Sequence, residues 1–311
     1  METLKNFLLF LLLLFCAAGL LLFPEECAEA ARNGLSLCLQ TVLPSLYPFF
    51  VLSSLVIASG MGDTLSRCFE PLMRPLFGLS GAGAGALVLG LLGGYPVGAR
   101  TAAELYRGGS LSKDEAERLL ACCNNAGPGF LLGVCGNAIF HSARVGLSLF
   151  LVHALSAMLT GMLLCRIGAK GTPVRPQQNA SVQRKSMAAE FPRAVRDSFF
   201  SVWSVCGFVV LFMVLLRLLT LLLPPGIAEP PFYPLLLGFV ELTNGVMALP
   251  ATRQGFVLCA ALLGWGGLSV HAQTLSVLEN SGLSARRFFA AKMTQAALSV
   301  PLALVVSMHL F

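Results

Sequence analysis

Long uncharged apolar runs, separated by short clusters of charge, proline or amide, set the rhythm of this chain, and runs of that length fit helices that cross lipid. Residues 7–23 form the first run, behind Lys5. No small-residue cleavage site follows it and Phe15 before Cys16 spoils a lipobox, so residues 1–26 are read as a retained N-terminal transmembrane helix. Lys5 on one flank and Glu25, Glu26 and Glu29 on the other put its N-terminus in the cytoplasm. Residues 27–59 are long enough to cross, but Pro44 and Pro48 predict a kink or break. Residues 62–79 mix Asp63, Arg67, Glu70 and Arg74 with Phe69, Leu72, Met73, Leu76 and Phe77, and suit an interfacial helix.

From residue 81 the chain is nearly all Gly, Ala, Leu and Val until Gly93-Gly94-Tyr95-Pro96 interrupts it, and Arg100, Glu104 and Arg107 follow. A re-entrant hairpin with its tip at 93–96, returning to the cytoplasm, satisfies both facts, because irregular backbone at membrane depth needs protein or water around it. Ser112 with Glu115 three residues on has the spacing of a capping box, and Asp114, Glu115 and Glu117 favour the start of a helix. That helix meets Asn124-Asn125-Ala126-Gly127-Pro128 before an apolar run resumes over 130–140, which predicts a discontinuous span. Residues 145–165 read as a plain membrane helix and 168–190, with Lys170, Arg175, Arg184 and Lys185, as a cytoplasmic linker. The second half brings a long apolar helix over 199–223 with Arg217 inside it, then an external loop over 224–234. Residues 235–249 follow, made polar by Glu241, Thr243 and Asn244, then a small apolar run over 256–267 and a last span over 284–311.

Composition narrows the class. With 56% hydrophobic and 12% charged residues the chain is far from a soluble domain, and its net charge of +6 is not gathered into a face for nucleic acid. Its length allows roughly seven to nine membrane-embedded segments. Of the ten cysteines, Cys16, Cys38, Cys122, Cys123, Cys135, Cys165, Cys206 and Cys259 lie in apolar or small-residue segments without zinc or redox spacing and read as small core hydrophobes. The vicinal pair Cys122-Cys123 has no CxxC or partner histidine nearby to make it a redox or metal site. Neither G-x-S-x-G nor H-E-x-x-H occurs, and Ser269 and His271 stand only two apart, so no enzyme, metal site or cofactor is expected.

Residues 93–101 align with 266–274 at five identities in nine, and Gly109 and Gly282 keep the same offset. This predicts two repeats, 27–167 and 191–311, and an all-α polytopic membrane protein with two re-entrant helical hairpins and discontinuous transmembrane helices. The second tip, at Gly266-Gly267, then enters from the face opposite the first, which makes the repeat inverted. The arrangement puts Arg253, Arg286, Arg287 and Lys292 on or near the outer side, against the positive-inside rule. If residues 235–249 span instead, those bases return inside and the inversion fails.

Four boxes carry a resemblance: 93–100, 112–120 with its acidic pair, 124–128, and 266–273. Together they resemble the YlbJ (SpoVV) family of sporulation integral membrane proteins, which carry the nucleoside recognition gate domain and are distantly similar to concentrative nucleoside transporters. The resemblance implies a multi-pass protein of the cell membrane, or of the outer forespore membrane in a spore former. It also implies transport of a small anionic metabolite, dipicolinate-like or nucleoside-like, between two hairpin tips and two unwound helices. The alternative is a gate-fold scaffold that acts in sporulation or envelope assembly without transport. Partners are the bilayer and the solute, with a homo-oligomer left open.

Helix ends near mid-membrane attract anions, and glycine lets backbone approach a ligand closely. Gly93, Gly94, Gly266 and Gly267 are therefore expected to present backbone donors, and Asn124, Asn125, Ser269 and Gln273 side-chain hydrogen bonds. Tyr95, beside Pro96, either stacks on an aromatic solute or only packs. Arg100 either clamps a carboxylate or anchors the hairpin; His271 either binds the solute or relays a proton, or is structural. Glu241, Thr243 and Asn244 are candidates for support or for a coupling sodium ion or proton.

Overall fold

The computed structural model describes residues 2–59, 61–167, 187–221 and 232–311, and every regular element among them is helical. The expected linker over 168–190 and the expected loop over 224–234 lie mostly outside the described residues. The first helix, α1 (Glu2–Leu22), has an apolar part, Leu13–Leu22, that is largely exposed. In α2 (Pro24–Leu37) proline occupies the first turn, where its missing N–H costs nothing, and Glu25 and Glu26 meet the positive helix end.

The break expected at Pro44 and Pro48 does not form. A wide turn, π1 (Cys38–Val42), joins α2 to α3 (Leu43–Ala58), and Pro24–Leu52 is a single candidate span of 29 residues. Proline clashes with the carbonyl four residues back, which for Pro44 is that of Gln40 inside π1, and a turn of wider pitch gives that carbonyl room. The segment read as interfacial is α4 (Met61–Leu72) with a second wide turn, π2 (Met73–Phe77). It closes on left-handed Gly78, and residues Arg67–Phe77 stand at 117° to the helix that follows.

The hairpin expected at 93–96 is present: α5 (Ala84–Gly93) and α6 (Val97–Arg107) lie side by side and turn at Gly94-Tyr95-Pro96. Next, α7 (Lys113–Cys123) opens with the expected capping box. Ser112 Oγ accepts from Glu115 N, and Glu115 Oε2 accepts from Ser112 N, each at 3.2 Å. The other carboxylate oxygen of Glu115 accepts from Ser80 N at 3.1 Å, so one buried side chain ties this helix start to the strut before α5. Ser112→Ala is expected to cost about 0.5–2 kcal/mol, read as a lower melting midpoint of the purified protein.

After α7 the chain is non-helical over 124–128, resumes as π3 (Gly129–Ile139) and returns as α8 (Ala143–Leu164), so a helix break falls at the residues where one was expected. The second half comprises α9 (Met187–Leu221), α10 (Phe232–Val240), α11 (Leu242–Met247), α12 (Arg253–Trp265), α13 (Gly267–Leu278) and α14 (Arg286–Ser307). Here the sequence reading is corrected. Helices α12 and α13 do not pack side by side; they follow on as one 26-residue apolar stretch interrupted at Gly266 and Gly267. The hairpin of this half is α10–α11, turning at Glu241, and Gly238 and Gly245 touch backbone to backbone inside it. Its arms of 9 and 6 residues are too short to cross, so 235–249 is not a span either.

Contacts at the ends fix the directions. The start of α14 meets the start of α7, where Ser284 N donates to Glu117 Oε1 at 2.8 Å and Arg287 pairs with Asp114 at 3.2 Å. At the far end Arg253 Nε donates to Ser307 Oγ at 3.2 Å. Between them Asn124 reaches Thr274, and Phe140 packs on Phe256 with ring centroids 6.2 Å apart. The broken helices α7–π3 and α12–α13 therefore run antiparallel. Arg286 and Arg287 sit with Asp114 and Glu117, at the opposite end of the bundle from Arg253, and Lys292 is buried in the bundle at 1% exposure. Five described stretches, or six with the bent pair, are long and apolar enough to cross a membrane.

Candidate functional site

Each hairpin tip rests on a helix break, and glycine makes both contacts possible. At Gly94, with φ +76°, an added Cβ would stand 2.9 Å from Gly127 N, and one added at Gly127 would stand 3.0 Å from Gly94 Cα. Gly90 in α5 and Gly98 in α6 close on the carbonyl of Cys123, the last residue of α7, so that hairpin grips the end of the helix whose break it covers. In the second half Gly267, with φ +75°, would bring a Cβ within 2.8 Å of Leu242 N and 3.2 Å of Gly238 O. The same device thus appears twice: a hairpin tip seated on the unwound stretch of a broken helix.

Both tips and one break open onto a single buried cavity of about 50 Å³. Gly94 and Tyr95 reach it from the first tip, Gly127 from the break in α7–π3, Glu241 and Thr243 from the second tip, and Gln273 from α13. Phe49 and Phe50 of α3, Phe130 of π3 and Val205 and Val209 of α9 close its apolar sides. Glu241 is 1% exposed and caps α11 itself, accepting from Thr243 N at 3.1 Å and Asn244 N at 2.6 Å. Ser269 Oγ donates to the same carboxylate at 3.4 Å. Three donors converge on one buried acid, whose charge would be costly without them.

The structure sorts the expected site residues. Gly93, Gly94, Tyr95, Glu241, Thr243 and Gln273 line the cavity. Gly266 lies against the Tyr95 hydroxyl, which donates to Leu263 O at 3.4 Å, and Gly267 and Ser269 support the second tip. Asn124 and Asn125 do not line it: Asn124 Nδ2 donates to Thr274 Oγ1 at 2.8 Å and Asn125 Nδ2 to Cys122 O at 2.6 Å. Arg100 is exposed and borders, with Pro96 and Ser276, a separate pocket of about 90 Å³ that shares Gln273 with the cavity. His271 is enclosed by Trp265, Phe288 and Phe289, away from the cavity. Asn244 borders a polar pocket of about 280 Å³ with Glu26, Glu29 and Arg217.

Sequence reasoning missed the polar seam behind the break. Lys292 Nζ donates to Gln295 Oε1 at 2.8 Å; Gln295 Nε2 donates to Asn125 Oδ1 at 3.3 Å and His153 O at 3.4 Å. Ala126 N donates to His153 Nε2 at 3.1 Å. The signal was there as helical spacing: Lys292, Gln295 and Ser299 on α14, and His153, Ser156 and Thr160 on α8, fall at i, i+3 and i+7, and all six are buried.

Three of the four boxes, 93–100, 112–120 and 124–128, lie in a range that a family model matches. Residues 39–170 match the family described as Gate: Nucleoside recognition, a range that holds the first hairpin and both parts of the broken helix. The chain is 29% identical over 321 residues to the sporulation integral membrane protein YlbJ of Bacillus subtilis (strain 168), covering 91% of this chain and 78% of that protein. No solved structure matches. The chain is thus a multi-pass integral membrane protein, matched over residues 39–170 by the nucleoside recognition gate model and similar along nine-tenths of its length to a sporulation integral membrane protein.

Proposed function

We propose that the protein transports a small anionic aromatic or nucleoside-like solute across the membrane, by alternating access around the cavity at Tyr95. One observation carries the reading: two hairpin tips from opposite ends of the bundle and the break between α7 and π3 meet at a single cavity. The hairpins are read as re-entrant from opposite faces, and the antiparallel helices α7–π3 and α12–α13 as the two discontinuous spans of an inverted repeat. Such tips can part on one side or the other while the break stays in place. Phe49, Phe50, Tyr95 and Phe130 suit a flat ring, and Thr243 and Gln273 suit its polar substituents. A cavity of about 50 Å³ holds a few water molecules but not a substituted ring, so binding requires the tips to separate. Glu241, held only by hydrogen bonds, is the candidate coupling group for a proton or sodium ion.

Uptake of labelled dipicolinate and uridine into proteoliposomes, with and without sodium or a proton gradient, tests this. Saturable uptake of one solute is expected, together with a rise in melting midpoint worth about 2.7 kcal/mol at one hundred times its Kd. A folded protein that shows neither, for either solute, returns the scaffold reading.

A further inference from the structure

We propose that Lys292 sets the charge selectivity of the cavity, as the fixed positive charge behind Tyr95 that favours a carboxylate-bearing solute over its neutral isostere. The inference rests on the transport reading. Lys292 lies within the candidate span Arg286–Ser307, is 1% exposed, and has no carboxylate within 4.0 Å among the described residues. An ammonium in that position is costly unless something negative comes near it. Its surroundings give it one acceptor, Gln295 Oε1, and two aromatic faces: Nζ stands 5.3 Å from the Tyr95 ring centroid and 5.9 Å from that of Phe288.

Tyr95 connects the charge to the site. Its ring meets Lys292 and also lines the cavity, so a solute beside Tyr95 would place an anionic group roughly 8–10 Å from Nζ with an aromatic ring, not water, between. At that range and an effective dielectric constant of about 20, the attraction is worth roughly twenty-fold in affinity. Among the described residues Glu241 is the one charged residue that lines the cavity, and it enters from the other tip, which orients the solute with its anionic end toward Tyr95. Gln295 also joins Lys292 to Asn125, so the charge is fixed to the unwound segment that supplies Ala126 and Gly127 to the cavity wall.

The test compares dipicolinate with its diamide, which has the same shape and no charge, by thermal shift and competition on the wild type and on Lys292→Met, Lys292→Gln and Lys292→Arg. The wild type should prefer the acid about twenty-fold. Lys292→Met should fold with a melting midpoint at or above the wild type, since an apolar isostere removes a buried charge, and should bind acid and amide about equally. Lys292→Gln gives the same readout if the methionine variant does not fold, and Lys292→Arg should keep the acid preference. An acid preference unchanged in both neutral variants overturns this inference alone. A wild type that binds neither compound overturns the transport reading with it.

Discussion

Alanine at Gly94 or Gly267 should destabilise the protein by about 2–5 kcal/mol and abolish uptake, whereas alanine at Gly109 or Gly282 should cost only about 1–2 kcal/mol and leave uptake intact. The four positions form a matched set. Their φ values are +76°, +75°, +72° and +71°, so an L-residue is strained at each, most at Gly94, whose ψ of −171° is open to glycine almost alone. What separates the two pairs is space. A Cβ at Gly94 meets backbone of Gly127 at 2.9 Å and one at Gly267 meets backbone of Leu242 at 2.8 Å, while nothing lies within 4 Å at Gly109 or Gly282. Backbone cannot rotate away as a side chain can, so the tip must lift from the break it covers. Melting midpoints and uptake of the four variants, measured in one detergent and one lipid, read the difference directly. Equal losses at all four would mean that the tips do not rest on the breaks.

The second large effect is expected at Gly90 and Gly98. Both have ordinary helical dihedrals, and in an isolated helix alanine would be favoured over glycine by about 1 kcal/mol. Here a Cβ at either position falls on the Cys123 carbonyl, so Gly98→Ala should lose several kcal/mol and yield little monodisperse protein. Gly207, in the middle of α9, has nothing within 4 Å and supplies the control: Gly207→Ala should be neutral or stabilising. Size-exclusion profiles and melting curves of the two variants, side by side, check the sign of each.

Local chemistry was legible where a residue has one use. Ser112 and Glu115 announced a helix start, the run from Asn124 to Pro128 announced a break, and Gly94 before Tyr95-Pro96 announced a tip; each is where the sequence put it. Gly266-Gly267 misled because glycine pairs serve two ends. At 93–94 they turn the chain back, whereas at 266–267 they unwind a helix that continues in the same span, and close backbone approach is needed in both. The true second tip hides behind Glu241, whose carboxylate supplies from its side chain the acceptors that start α11, so no glycine or proline marks it. Arg286 and Arg287 could be placed only through Asp114 and Glu117, acids some 170 residues away in the chain. At Pro44 the chain keeps one continuous span through a turn of wider pitch, which leaves no trace in residue type.

The most direct test is to locate the solute itself. A crystal of the protein soaked with a bromine-substituted pyridine dicarboxylate, read by anomalous scattering, should show its peak between Tyr95, Gly127, Thr243 and Gln273. A peak confined to the pocket beside Arg100, or to the polar pocket between Glu29 and Arg217, would contradict a solute site at the meeting of the tips.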